Sequence, residues 1–326
     1  MSLFLTKIKA FSFSYCRRSC SRLRVKNASS LSKHTAADDN IHQHRYQLYQ
    51  YKICPFCNIV KTFLNYQKIP FQSVEVNPLT KSELEFSSGY RKVPILRIID
   101  VASTTPNATA FRQLNGTEEI LSNEYYLSNI NNECCNDNYD DDFASSDSST
   151  RWQQFGIQKL APLLYPNLCR TLSDSFRAFN YVHDDSNFSI VERYSIQYIG
   201  SVAMYFAASK IKQKYKINDV QIALDEALEE LESELSSAGR QQFSDNERQY
   251  LFLQQITFPS PSSLSSQNPH LGDLVVFGVL KGLEGLPLWN EIFNNPKFLN
   301  IRQWYTDVDE VLKSRKAQTG RYGYND

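Results

Sequence analysis

The chain has 326 residues, enough for roughly two domains of the common size of about 150 residues. Lysine plus arginine and aspartate plus glutamate both number 35, which argues against a nucleic acid or other polyanionic partner. The 41% hydrophobic and 13% aromatic content supplies a substantial core. Seven cysteines, scattered and odd in number, do not form a disulfide scaffold and fit a reducing compartment with one redox-active pair. A zinc site needs more ligands than one Cys-x-x-Cys provides, and no histidine forms a partner motif, so no metal is expected.

Residues 1–37 contain no acid, while Lys7, Lys9, Arg17, Arg18, Arg22, Arg24, Lys26 and Lys33 are basic and serines are frequent. This composition predicts a transit-type presequence over residues 1–44 and a mitochondrial destination. A disordered basic tail is the plainer reading, with a cytoplasmic location or one peripheral to an internal membrane as the alternatives. No run approaches the ~18 apolar residues of a spanning helix, so membrane association is expected to be peripheral at most.

The richest stretch is Lys52 to Cys57. Before it, Arg45 to Tyr51 alternates like a strand with one buried face. After it, Ile59, Val60, Phe63 and Leu64 recur at helical spacing, and Pro55 suits a first helical turn. Cys54 therefore falls at a helix N-terminus, where unpaired N–H groups and the macrodipole favour a thiolate, with Lys52 as a nearby cation. Cys57, one turn on, is placed to attack a mixed disulfide on Cys54. Phe71 to Val76 reads as a second strand and completes a βαβ unit, whose crossover is right-handed. Leu79 to Phe86 is predicted as a short helix, Ile95 to Ile99 as a third strand, and Ala110 to Leu114 as a fourth that pairs with it by hairpin. Residues 115–118 form a turn into a helix from Glu119 to about Ile130. A cis Val93-Pro94 bond before the third strand would present the backbone of Val93 to an extended thiol peptide.

The domain reading is a thioredoxin-like unit over 45–130, an acidic serine-rich linker over 131–150 and a helical unit over 151–326. Cys134-Cys135 in the linker reads as incidental. In the helical unit Pro162 and Pro166 bend or end a first helix. A stripe of Val191, Tyr194, Tyr198, Ile199, Val202, Tyr205 and Phe206 reads mostly as core, with a hydrophobic ligand cleft as the alternative. Leu224, Leu228, Leu231 and Leu235 share one helix face. The run from Leu271 is apolar on nearly every side and predicts a central buried helix.

A βαβ unit with Cys-x-x-Cys at the helix start, Val-Pro before a third strand, a hairpin and a closing helix resemble the thioredoxin-like half of a glutathione transferase, and an all-helical second half completes that architecture. Tyr49 to Cys57, Val74 to Pro78, Ser87-Ser88, Tyr90 to Leu96 and Gln113 to Asn115 closely resemble the type 2 prostaglandin E synthase family. So do Pro166-Asn167, Arg170-Thr171, Gly200, Ala203 to Tyr205 and Leu274 to Leu280.

The resemblance implies that Cys54 is the essential cysteine, Tyr51 the tyrosine whose hydroxyl bonds to its sulfur, and Phe56 a wall of a glutathione pocket. Val93, ahead of Pro94, holds the cysteine of glutathione by its backbone. It also implies glutathione as cofactor and a haem held through the glutathione sulfur. Where the family has an Asp-Ser pair for the glutamyl end, this chain has Gly116 and Thr117. Thr117 offers a hydroxyl and an N–H at a helix start, whereas Gly116 offers no carboxylate. That leaves Glu118 as a substitute, or weaker glutathione binding. The oligomeric state stays open, with a homodimer as the prior for this architecture.

Three functions follow. One is isomerisation of a lipid endoperoxide, prostaglandin H2 to E2, with Cys54 as the thiolate or as the holder of glutathione's thiolate. The second is glutaredoxin-like exchange with small thiols and disulfides, in which Cys57 resolves what Cys54 captures. The third is a non-catalytic glutathione- or haem-binding module.

Overall fold

The structure, a computed structural model, describes residues 44–100, 111–123, 147–185, 187–239, 253 and 269–318. The basic presequence, Cys134-Cys135 and most of the acidic linker lie outside the described residues. The first half is a four-stranded sheet in the order β2-β1-β3-β4, formed by β1 (His44–Gln50), β2 (Phe71–Glu75), β3 (Ile95–Asp100) and β4 (Phe111–Asn115). β1 and β2 are parallel, with Gln50 opposite Glu75, and β1–β3 and β3–β4 are antiparallel. Helix α1 (Pro55–Tyr66) makes the crossover between β1 and β2. Strand alternation divides the core as the period of two requires. Tyr46, Leu48, Leu96, Ile98 and Leu114 face Val60 and Leu64 of α1, whereas Tyr49, Val76 and Ile95 form a separate cluster with Tyr51, Tyr90 and Val93.

Between β2 and β3 the expected helix is only a single 3-10 turn, Ser82–Leu84. Asn77 accounts for this: its Oδ1 accepts the N–H groups of Leu79 and Thr80 at 3.0 and 3.3 Å, and Lys81 adopts a left-handed φ of 54°. Both divert the backbone from a helical ladder. After β4 the helix α2 starts at residue 116, earlier than expected; its predicted end lies outside the described residues.

Helix α3 (Asp147–Gln154) begins inside the stretch read as linker. Serine is small enough for this, since Ser149 is buried where Gly272 presses against it. A π turn, Phe155–Leu160, joins α3 to α4 (Ala161–Leu168), and the wide turn accommodates Pro162, which has no N–H to give. Then follow α5 (Leu172–Ala178), α6 (Ile190–Ser195), a second π turn (Ile196–Gly200), α7 (Ser201–Lys214), α8 (Val220–Gly239), α9 (Leu271–Lys281), α10 (Pro287–Phe293) and α11 (Leu299–Gln318).

Helix α9 is the buried centre, with every residue from Leu271 to Leu280 inside. Its Asp273 is fully buried, accepting the Trp304 indole N–H at 2.7 Å and the N–H groups of Leu253 and His270 at 2.8 and 3.0 Å. Leu224, Leu228, Leu231 and Leu235 of α8 and Trp304 and Val308 of α11 complete this core.

The aromatic stripe on α6–α7 is not core. Val191, Tyr194, Tyr198, Ile199, Val202 and Phe206 are exposed, Val191 by 75%. The opposite side packs, through Ile196 and Ser201, with Gly200 so close to Phe179 that a Cβ would meet its ring at 3.2 Å. The small residues Gly200 and Ser201 let that side approach its neighbours, and the apolar stripe turns outward.

The two halves share one core. Ile59, Phe63 and Tyr66 of α1 pack with the helices, while Val60 and Leu64 pack with the sheet. At the crossing of α1 and α9, a Cβ on Gly278 would lie 2.5 Å from the Ile59 Cα and 2.9 Å from the Asn58 carbonyl oxygen. Since these are backbone atoms, nothing there yields. Gly278→Ala is therefore expected to cost at least ~3 kcal/mol, the upper end of overpacking penalties, read as a lowered denaturation midpoint.

Candidate active site

Cys54 is the N-cap of α1 and Pro55 follows at the first helical position, as the sequence predicts. The segment before it is clamped from both sides. The Cys54 N–H donates to the Tyr51 carbonyl at 2.9 Å, and the buried Asn58 amide donates to the Lys52 and Cys54 carbonyls at 2.8 and 3.0 Å. The Lys52 N–H donates to Glu75 Oε1 at 2.9 Å. The Lys52 side chain itself is exposed, so the expected cation contributes its backbone to this site.

Both sulfurs are buried, Cys54 by all but 4% and Cys57 entirely. A hydrogen bond from the Cys57 thiol is the main influence lowering the Cys54 pKa to about 7; burial opposes it, and the Tyr165 hydroxyl and the N–H groups of Cys57 and Phe56 assist. Burial pushes the Cys57 thiol well up, and donating to Cys54 adds to this. One sulfur is thus disposed to ionise near neutrality and its neighbour to stay protonated, the division of labour a dithiol pair needs.

Phenols surround the pair. The hydroxyl that bonds to the Cys54 sulfur comes from Tyr165 on α4, a correction to the expectation for Tyr51. Tyr51 is instead pushed up first by burial and then by the charges of Cys57 and Cys54. Tyr181, in the 3-10 turn Asn180–His183, reaches Glu75 by hydrogen bond and lies in the field of Tyr51 and Cys54. Tyr90 feels both sulfurs after burial and stands 3.3 Å from where a Gly116 Cβ would be.

The remaining expected residues fall around this cage. The Val93-Pro94 bond is cis. Among the described residues the backbone of Val93 has no hydrogen-bond partner, whereas the Pro94 carbonyl accepts the Gly116 N–H at 2.9 Å. Gly116 has φ of 80°, a left-handed conformation that disfavours the aspartate the resemblance would place there. The buried Thr117 hydroxyl donates to the Phe56 carbonyl at 3.2 Å, and the Phe56 ring packs toward the helical core. Sequence reasoning missed Glu75, Tyr90, Tyr165 and Tyr181 as site members. An acid between Val74 and Val76 is the only local signal at Glu75; nothing local marks Tyr165 or Tyr181.

A thioredoxin-like sheet with its cysteine at the α1 N-terminus, backed by an all-helical second half, is a glutathione-transferase-type architecture. The family described as "Glutathione S-transferase, N-terminal domain" matches residues 48–120, from β1 into α2. Over a much longer span the chain is similar to proteins named prostaglandin E synthase 2. It is 28% identical over 301 residues to the protein of that name from Mus musculus, covering 82% of this chain and 70% of that one. It is 27% identical over 294 residues to the one from Danio rerio, covering 82% and 71%. Among solved structures, Ure2p in complex with glutathione aligns at 14% identity with a TM-score of 0.46, covering 83% of this chain and 94% of that one.

The Tyr165 contact has a measurable consequence. Tyr165→Phe removes a donor to the thiolate, so the Cys54 pKa should rise above its value of about 7 and alkylation by iodoacetamide at pH 7 should slow several-fold. Tyr51→Phe should leave the pH midpoint of alkylation lower than that of Tyr165→Phe.

Proposed function

We propose that the chain is a glutathione-dependent enzyme that isomerises a lipid endoperoxide, prostaglandin H2 to E2, with Cys54 as the working thiolate. The observation that carries this reading is a thiol held near pKa 7 inside a cage of phenols, in a chain related along most of its length to prostaglandin E synthase 2. Glutathione fits the first half: the Val93 backbone beside Tyr51 and Tyr90 is available to pair with an extended peptide, and Thr117 stands at the start of α2. When bound, glutathione supplies a second thiol at the same place.

In this reading the Cys54 sulfur attacks one oxygen of the weak O–O bond, and a phenol, Tyr165 being the one that touches the sulfur, protonates the other oxygen as it leaves. The phenolate so formed takes the proton from the carbon bearing the sulfur-bound oxygen. The sulfur–oxygen bond then breaks, giving the ketone and returning the thiolate, with no net redox change. Burial of the phenols keeps their protons in place until they are needed.

The contact between the Cys57 thiol and the Cys54 sulfur favours a second activity on the same site, exchange with low-molecular-weight disulfides. The two are separated by substitution. Cys54→Ser should abolish glutathione-dependent conversion of prostaglandin H2, and Cys57→Ser should retain it while losing turnover of a glutathione mixed disulfide. Prostaglandin H2 decaying at its spontaneous rate with wild-type protein and glutathione would overturn the isomerase reading.

A further inference from the structure

Helices α6 and α7, joined through the second π turn, hold a continuous apolar face toward solvent. Ile190, Val191, Tyr194, Tyr198, Ile199 and Phe206 are each more than half exposed, over roughly 25 Å of helix at about 1.5 Å per residue. Single apolar side chains on a surface are ordinary, whereas a contiguous row of them marks a place where something docks.

The residues that continue the row identify the occupant. Beyond Phe206 come Lys210, Lys212, Lys214 and Lys216, all exposed, and the exposed Tyr215 ring lies 5.1 Å from the Lys214 Nζ. From Arg193 to Asn218 the sequence has five cations and no acid, in a chain whose 35 acids match its 35 bases. The acids at the two ends are occupied: Glu192 closes the capping box with Ser189, and Asp219 accepts the N–H groups of Gln221 and Ile222 at 2.8 and 3.1 Å. Among the described residues the lysine ion pairs belong to Lys159, Lys281, Lys297 and Lys313, so no acid from elsewhere in the fold neutralises the cluster.

An apolar row carrying tyrosines and continued by unpaired lysines has the composition of a helix that lies in the plane of a membrane interface. Its rings sit at the acyl-chain boundary and its ammonium groups among the headgroup phosphates. A second copy of the chain would have to lodge five cations against a segment that holds no acid, and lysine is depleted from the centres of protein interfaces. No helix among the described residues is long and apolar enough to cross a membrane, so the contact is with the surface.

We propose that the α6–α7 face docks on an anionic lipid surface. Docking of this kind does not rest on the isomerase reading. It would nevertheless bring such an enzyme to where a lipid endoperoxide is dissolved, since α7 packs on α4, the helix that carries Tyr165.

The test uses the full chain carrying Phe206→Trp, mixed with vesicles of phosphatidylcholine alone or with added phosphatidylserine, with and without bromine on the acyl chains. With phosphatidylserine the emission of the introduced indole should shift to the blue and bromine should quench it, and added salt should reverse both. Lys210→Gln, Lys212→Gln, Lys214→Gln and Lys216→Gln together should weaken binding roughly a hundredfold or more at low salt, each lysine at an anionic surface being worth about fivefold. The denaturation midpoint should stay where it is, because all four side chains are exposed. An indole that stays unshifted and unquenched overturns the proposal even where the protein sediments with the vesicles, since the basic residues 1–37 would then be the binding segment. Equal affinity for the two kinds of vesicle, or equal affinity of the parent and the four-lysine variant, overturns it as well. So does an emission that shifts to the blue with protein concentration in the absence of lipid, alongside a doubled mass in light scattering, which would assign the face to a second copy. None of these readouts involves turnover of prostaglandin H2, so failure here leaves the isomerase reading standing and failure of that reading leaves the docking face standing.

Discussion

The structure depends on the backbone-to-backbone approach of α1 and α9 at Gly278. Helix α1 carries the cysteine pair and is held on one side by the sheet through Val60 and Leu64. On the other side it is held by the helical half, and at Gly278 the approach is too close for any side chain. Because packed interiors transmit displacement, the position of Cys54 is set as much by α9 as by the sheet. Four residues further along, Gly282 lies against the Asn58 amide, the group that clamps the Lys52 and Cys54 carbonyls. The helical core thus reaches the cysteine turn through Asn58 as well as through Tyr165.

That arrangement explains why the site is composite. A thioredoxin-like unit by itself supplies two sulfurs, a helix terminus and a cis-proline loop. Beside the dominant contact between the two sulfurs, groups from other elements act here: Tyr165 of α4 bonds to the Cys54 sulfur, Glu75 of β2 acts on Cys57, and Tyr181 in the turn after α5 reaches Glu75. Each group is costly to bury alone, and each is satisfied by another member of the cage. The result is a pair of unequal thiols, one stabilised as thiolate and one held as thiol by the same contact between them.

The departure at Gly116 takes on a structural meaning in this setting. A left-handed backbone at φ of 80° and the Tyr90 hydroxyl beside it define a position built for glycine. The loss of a carboxylate from that place is therefore coupled to the turn between β4 and α2.

The sequence by itself determined the order of the four strands, the helix between the first two, the placing of Cys54 at a helix start and the burial of the helix from Leu271. Period-two alternation, a proline at the first turn and an apolar run leave little choice of local structure. It also carried the likeness to prostaglandin E synthase 2, in a long motif string around the cysteines. Only the tertiary structure decided which tyrosine meets the sulfur, since Tyr51 and Tyr165 look alike along the chain and proximity in space depends on how α4 packs against α1. It likewise decided that the stripe from Val191 to Phe206 faces outward. An apolar helical face reads the same whether it meets core or solvent, and the choice fell to Gly200 and Ser201 on the opposite side. The burial of Glu75 was hidden for the same reason: local sequence records a charge, and only packing shows how little water reaches it.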